Sequence, residues 1–188
     1  MASLASAPGT AGDWVYDGST NGDEMGYAVA TAGDINGDGY DDLVVGAPGA
    51  QDLVYREGVA SLFYGGPGGL ATTPAWKLGG GQQGSRFGAA VAAAGDLNGD
   101  GYGDMVVGAP VYNNGTTRTG AAMVFYGSRD GLSSTPDWAF ISPYRDSNLG
   151  HAVAGGGDLN GDGRPDIVAA NELSDNVSVI LNLSLIHI

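Results

Sequence analysis

The chain repeats itself every 62 residues without a gap, and no other feature narrows its possible folds as much. Trp14, Trp76 and Trp138, the only three tryptophans, fall in register. So do Gly26, Gly88 and Gly150, then Val29, Val91 and Val153, then Gly33, Gly95 and Gly157. Pro48 matches Pro110, Phe63-Tyr64-Gly65 matches Phe125-Tyr126-Gly127, and Leu70 matches Leu132 across the first two copies only. A unit of this length cannot bury its apolar face alone, so it must stack on its neighbours. Each copy reads as four short strands. The first is small and apolar, at 28–32, 89–94 and 152–154. The second is at 43–45, 105–107 and 167–169, the third at 59–64, 121–126 and 177–181, and the fourth carries the tryptophan, at 75–78 and 137–141. Asn-Gly and Gly-Asp pairs and the stretch Gly65-Gly66-Pro67-Gly68-Gly69 supply the turns between them. Alanine propensity alone would make 89–94 helical, but Gly88 and Gly95 bound a run too short to nucleate a helix.

This pattern predicts an all-β chain: a partial β-propeller of about three blades, each of four antiparallel strands. The expected parts are the outer strand of a preceding blade at 13–17, blades at 26–78 and 88–140, and an incomplete third blade at 150–182. Residues 183–188 fit no blade position and read as a non-native tail. Three blades do not close a ring, so the chain is expected to be a piece of a longer propeller, about 430 residues for seven blades at this period.

Composition excludes several functions. Net charge is −14, from 7 basic and 21 acidic residues, so there is no basic footprint for nucleic acid or for an anionic membrane surface. There is no cysteine, which removes disulfides, thiolate catalysis and thiolate metal sites. No apolar run approaches the ~18 residues of a membrane span. Glycine, at 35 of 188 residues, is the turn chemistry of many short strands. The acidity is concentrated: ten of the 21 acidic residues lie in three nine-residue loops.

Those loops are 34–42, 96–104 and 158–166. Oxygen-bearing side chains occupy positions 1, 3, 5 and 9: Asp34, Asn36, Asp38 and Asp42; Asp96, Asn98, Asp100 and Asp104; Asp158, Asn160, Asp162 and Asp166. Glycine at positions 4 and 6 permits the bend. Position 7, which is Tyr40, Tyr102 or Arg164, can offer its backbone carbonyl whatever its side chain. With a bidentate aspartate at position 9 each loop presents about six oxygens, which suits the 6–8 ligands of calcium better than the rigid octahedron of magnesium. Zinc would want nitrogen or sulfur. About three calcium ions are expected, one per copy. An EF-hand begins with the same spacing but needs a glutamate at position 12, where this chain has Val45, Val107 and Ala169.

The stretch Phe87-Gly88, the loop from Asp96 to Asp104, and Gly108-Ala109-Pro110 together resemble the FG-GAP repeat of integrin α-subunit propellers and of many bacterial surface proteins. Copy one is similar, with Met25-Gly26 and Gly46-Ala47-Pro48. Copy three has Leu149-Gly150 but departs at Ala170-Asn171-Glu172. The resemblance implies a propeller with calcium in the loops between strands one and two, an extracellular or cell-surface setting, and adhesion or ligand binding. An accessory propeller of a secreted enzyme such as a lyase or phospholipase, or a structural spacer, is the alternative. Nothing in the sequence supports catalysis. The loops on the opposite face disagree between copies, so a protein or glycan ligand is expected there, with Tyr55, Arg56, Tyr112 and Arg118 as candidate contacts. The tryptophans are expected to pack between blades, and His151 to pack on an inner strand.

Overall fold

The computed structural model describes residues 14–172 and 176–180. It is all-β, with no α-helix among the described residues. Eleven strands run in chain order: β1 (Ala28–Gly33), β2 (Asp42–Ala47), β3 (Val59–Phe63), β4 (Trp76–Gly79), β5 (Ala90–Gly95), β6 (Asp104–Ala109), β7 (Ala121–Phe125), β8 (Trp138–Ile141), β9 (Leu149–Gly157), β10 (Asp166–Asn171) and β11 (Asn176–Ile180). They form two four-stranded antiparallel sheets, β1-β2-β3-β4 and β5-β6-β7-β8, and a three-stranded sheet β9-β10-β11. These are three propeller blades side by side, the third with three strands among the described residues. The alanine-rich run is a strand, β5, as expected. The register shifts at the same place in blades one and two, between Thr31 and Gly33 and between Ala93 and Gly95, as each chain enters its acidic loop.

The core lies between blades rather than within them. Ile35, Val44 and Leu62 of blade one meet Phe87, Met105 and Phe125 of blade two. Leu97, Val106 and Val124 of blade two meet Leu149, Ile167 and Ala169 of blade three. The middle strands are therefore covered on both faces, and β3, β6 and β7 are buried at every residue. Their sequences are accordingly apolar runs without in–out alternation.

Close backbone approach locks the blades together. A Cβ on Gly46 would lie 2.9 Å from the carbonyl carbon of Gly88 in the next blade, and closer still to its oxygen. Gly108 stands in the same relation to Gly150. The glycines of the Phe-Gly and Gly-Ala-Pro stretches thus touch each other across the blade interface. Parallel bridges from Gly58 to Phe87 and from Gly120 to Leu149 continue the contact.

The tryptophans extend it outward. Trp76 of β4 crosses to blade two, where its indole N–H donates to the Ser133 carbonyl (2.8 Å) and its ring meets Phe125 edge-on at 5.1 Å. Trp14 makes the same pair of contacts with Ala71 (2.9 Å) and Phe63 (4.9 Å). Each edge-on pair adds roughly 0.5–1.5 kcal/mol beyond the area it buries. Trp138 remains partly exposed on the surface, stacked with Phe140.

Three expectations need correction. Residues 14–17 form no strand; Trp14 and Tyr16 lie on Phe63 through their side chains alone. Residue 13 and the tail at 183–188 lie outside the described residues. His151 is exposed rather than packed, with Nε2 3.5 Å from Glu172. Tyr112 is half-buried against the core between blades one and two, which removes it from the contact candidates.

Candidate metal centre

Each acidic loop joins the first two strands of its blade, and all three fold alike. In loop one, Oδ1 of Asp34 accepts hydrogen bonds from the N–H groups of Gly37 (2.8 Å) and Asp38 (3.0 Å), and Oδ2 accepts from Gly39 (2.8 Å). Asn36 Oδ1 accepts from Asp38 N–H, Asn36 Nδ2 donates to Asp38 Oδ2, and Asp38 Oδ1 accepts from Tyr40 N–H. Loop two repeats these six bonds with Asp96, Asn98 and Asp100. Loop three repeats them with Asp158, Asn160 and Asp162. Glycine is needed at positions 4 and 6, where Gly37 and Gly39 have φ of +74° and +90°. Sequence logic thus holds locally: alternation turns the side chains at positions 1, 3 and 5 into one loop.

Position 9 is different. Asp42, Asp104 and Asp166 are buried. Asp42 Oδ2 accepts from Ile35 N–H inside the loop, and Oδ1 accepts from Gly65 N–H beyond the end of β3, both at 2.9 Å. Asp104 holds Leu97 N–H (2.6 Å) and Gly127 N–H (2.8 Å) in the same way, and Asp166 holds Leu159 N–H (2.8 Å). In loops one and two this aspartate therefore ties the loop to the chain just past the third strand. A carboxylate has about four lone-pair sites, so two hydrogen bonds leave each oxygen able to accept once more.

Among the described residues no three carboxylate, imidazole or thiolate groups converge on one point. The oxygens along each loop are those of aspartate and asparagine at positions 1, 3 and 5 and the carbonyl of Tyr40, Tyr102 or Arg164 at position 7, with the buried aspartate of position 9 set apart by its own hydrogen bonds. All are hard oxygens, as calcium requires.

The electrostatics leave a charge uncompensated. Burial pushes the Asp42 carboxyl above its ordinary value; the nearby charges of Asp38 and Asp34 add to this, against the N–H groups of Gly65 and Ile35. Asp104 is pushed to about 6, by burial first and then by Asp100 and Asp96. No lysine or arginine among the described residues pairs with the carboxylates of loops one and two. A divalent cation would supply the missing positive charge.

The opposite face is built differently. Its loops are organised by Glu57, which is buried although its counterpart in copy two is Thr119. Glu57 Oε1 accepts from the N–H groups of Asp52 (3.1 Å), Leu53 (2.6 Å) and Val54 (2.8 Å), and Oε2 from Gly81 (2.7 Å). Burial would raise its pKa; the four N–H donors outweigh burial and hold the carboxyl below its ordinary 4.5. Repeat comparison passes over Glu57 because only one copy has it.

Beside these loops a cleft of about 230 Å³ opens between blades, lined by Tyr27, Arg86, Asn148, His151 and Glu172 over Ala89, Pro110 and Val111. Arg86 pairs with Glu24 (3.2 Å) and stacks on Tyr27, while Glu172 accepts from Asn148 (3.2 Å). Glu24, Arg86 and Asn148 occupy one repeat position and all have φ between +53° and +59°. Leu53, Tyr55 and Tyr144 stand exposed on the surrounding loops.

Comparison with known proteins agrees with this architecture. The FG-GAP repeat model matches residues 25–63, 87–125 and 149–180, each stretch holding one acidic loop. The chain is 35% identical over 194 residues to integrin alpha pat-2 of Caenorhabditis briggsae, covering 89% of this chain and 15% of that protein. It is 37% identical over 162 residues to integrin alpha-IIb of Mus musculus (82% and 15%). It is 35% identical over 176 residues to integrin alpha-6 of Homo sapiens (93% and 15%). The chain spans about 15% of the length of these curated relatives. With three matched repeats that coincide with three blades, the chain belongs to the FG-GAP repeat family.

Proposed function

We propose that each of the three acidic loops binds one calcium ion, and that the blades form a calcium-stabilised extracellular module for adhesion or ligand binding. The observation that carries the calcium reading is the same six-bond, oxygen-lined loop in three copies, with a buried aspartate behind each, whose carboxyl burial and neighbouring charges raise in loops one and two. Asp34, Asn36, Asp38, Asp42 and the Tyr40 carbonyl would hold the first ion, with the equivalent residues of loops two and three holding the others. The ion would supply the positive charge that the loop carboxylates lack.

The adhesion reading rests on the likeness to integrin alpha chains and on the two faces of the blades. The loop face is nearly identical between copies. The opposite face differs between copies and carries exposed Leu53, Tyr55 and Tyr144 beside the polar cleft. A protein or glycan ligand fits that face, and calcium then serves stability rather than recognition. No helix among the described residues is long and apolar enough to cross a membrane.

Calorimetric titration of calcium into the chelator-treated chain tests the first part. About three equivalents are expected, falling to two when Asp38→Ala, Asp100→Ala or Asp162→Ala is introduced. Extracellular calcium modules bind at about 10⁻⁴–10⁻³ M. At ~1 mM calcium, linkage then gives roughly 0.4–1.4 kcal/mol per site. Absence of saturable heat, with no change in melting temperature on adding chelator, would refute the reading.

A further inference from the structure

Neighbouring acidic loops are hydrogen-bonded in one pair and only packed in the other, where Pro165 lies against Gly95. The Gly103 N–H at position 8 of loop two donates to the Asp34 carbonyl at position 1 of loop one, at 2.7 Å. The Tyr102 ring covers loop one at position 4, where a Cβ on Gly37 would come within 2.6 Å of its Cε1. The peptide unit between Tyr102 and Gly103 is one rigid plane. Its N–H is spent on loop one, and its C=O is the position-7 oxygen of loop two. At the equivalent junction between loops two and three the residue is Pro165, which has no N–H to give to Asp96. Arg164 replaces the tyrosine, and nothing comes within 4 Å of a Cβ on Gly99.

We infer that the Tyr102–Gly103 peptide couples the cation sites of loops one and two, so that filling one strengthens the other, while loop three fills independently. The inference rests on the calcium reading above. Drawing charge onto the C=O of this peptide polarises its N–H and strengthens the bond to Asp34. The same bond fixes the backbone that carries the first ligand of loop one. Ordering either loop removes part of the ordering cost of the other. Coupling between sites is reciprocal, so the effect must read the same from either loop.

Calcium titration of the full chain, with and without Asp34→Ala, tests this, with Asp158→Ala as the internal comparison. Asp34→Ala is expected to remove one site and to weaken one of the remaining two by about fivefold or more, the lower end of typical coupling. Asp158→Ala is expected to remove one site and leave the other two unchanged. Gly103→Pro copies the residue that repeat three already carries, and in that background Asp34→Ala should no longer weaken its neighbour. Circular dichroism establishes that each variant is folded; if Gly103→Pro is not, the contrast between Asp34→Ala and Asp158→Ala decides alone. Two remaining sites of unaltered affinity in Asp34→Ala would overturn the coupling while leaving calcium binding intact. No calcium uptake by the unsubstituted chain would overturn both.

Discussion

Gly108→Ala is the sharpest test of how the blades are held together. Gly108 lies on β6 with an ordinary strand conformation, so the substitution introduces no backbone strain of its own. What it introduces is a methyl group 2.9 Å from the Gly150 carbonyl carbon, with the oxygen nearer still. Carbon atoms in contact sit about 3.5–4.0 Å apart. The two blades must therefore separate by about 1 Å, and both sides of the contact are backbone, so no side chain can rotate away. A gap of 0.5–1 Å forfeits roughly a quarter to a half of the dispersion energy of each facing pair. Here those pairs include Val106 and Val124 against Leu149 and Ile167. Overpacking usually costs about 1–3 kcal/mol; rigid backbone on both sides puts this case at the upper end, about 3 kcal/mol. For a chain of this size that is a fall of about 6–12 °C in melting temperature. The assay is thermal unfolding at fixed calcium, followed by circular dichroism, with Gly68→Ala as control. Gly68 is exposed, has no neighbour within 4 Å of a Cβ and no positive φ, so its substitution should shift the midpoint little. A Gly108→Ala midpoint within a degree of the control would refute the interlock.

Two further outcomes follow from the opposite face. Glu57→Gln removes the charge that four backbone N–H groups share and turns an amide NH₂ toward some of them; a loss of about 1–3 kcal/mol is expected in chemical denaturation, since the donors left unpaired are part-buried. Because the folded pKa of Glu57 lies below its unfolded 4.5, its contribution is fully present above pH 4.5 and is lost as pH falls through the folded value. The wild-type and Glu57→Gln stabilities should therefore converge below pH 4.5, and a difference that stays constant to low pH would rule the carboxylate out as the cause. On the recognition side, replacing Tyr55, Arg56, Arg118 and Tyr144 with alanine should abolish binding to immobilised matrix proteins or to a glycan array without changing calcium stoichiometry. Retained binding would place the contact elsewhere.

The features legible in the sequence were those fixed by a few residues acting locally. Each acidic loop needs oxygen at positions 1, 3, 5 and 9 and glycine at 4 and 6, and nothing distant competes with that. β6 and β7 were legible as apolar runs because both of their faces are covered. The misread positions depend on what lies alongside. Trp14 was assigned to a strand because its counterpart Trp76 is in one. The equivalence carried over the indole contact with Phe63 but not the backbone ladder, which needs a paired strand. His151 shares its repeat position with Tyr27 and Ala89, yet Tyr27 is 56% exposed and Ala89 8%, so burial there is set by the neighbouring blade and not by the position. Glu57 was missed because copy two has Thr119 in its place, and a repeat alignment rewards agreement.

The third copy separates two patterns that the first two carry together. Its loop keeps every oxygen at positions 1, 3, 5 and 9, and makes the same six internal hydrogen bonds. Its docking residues change. Pro165 replaces the donor Gly103, Ala170 fills the space that Gly46 and Gly108 leave for a neighbouring carbonyl, and Glu172 replaces proline. Leu159, at the position of buried Ile35 and Leu97, is 53% exposed. The loop therefore keeps the same internal shape although its docking residues differ, so its geometry comes from its own backbone and from the aspartate at position 9. Calcium in such a loop would stabilise its own blade first. Only where a Tyr102–Gly103 type of peptide bridges to a neighbour would that stabilisation pass from one blade to the next.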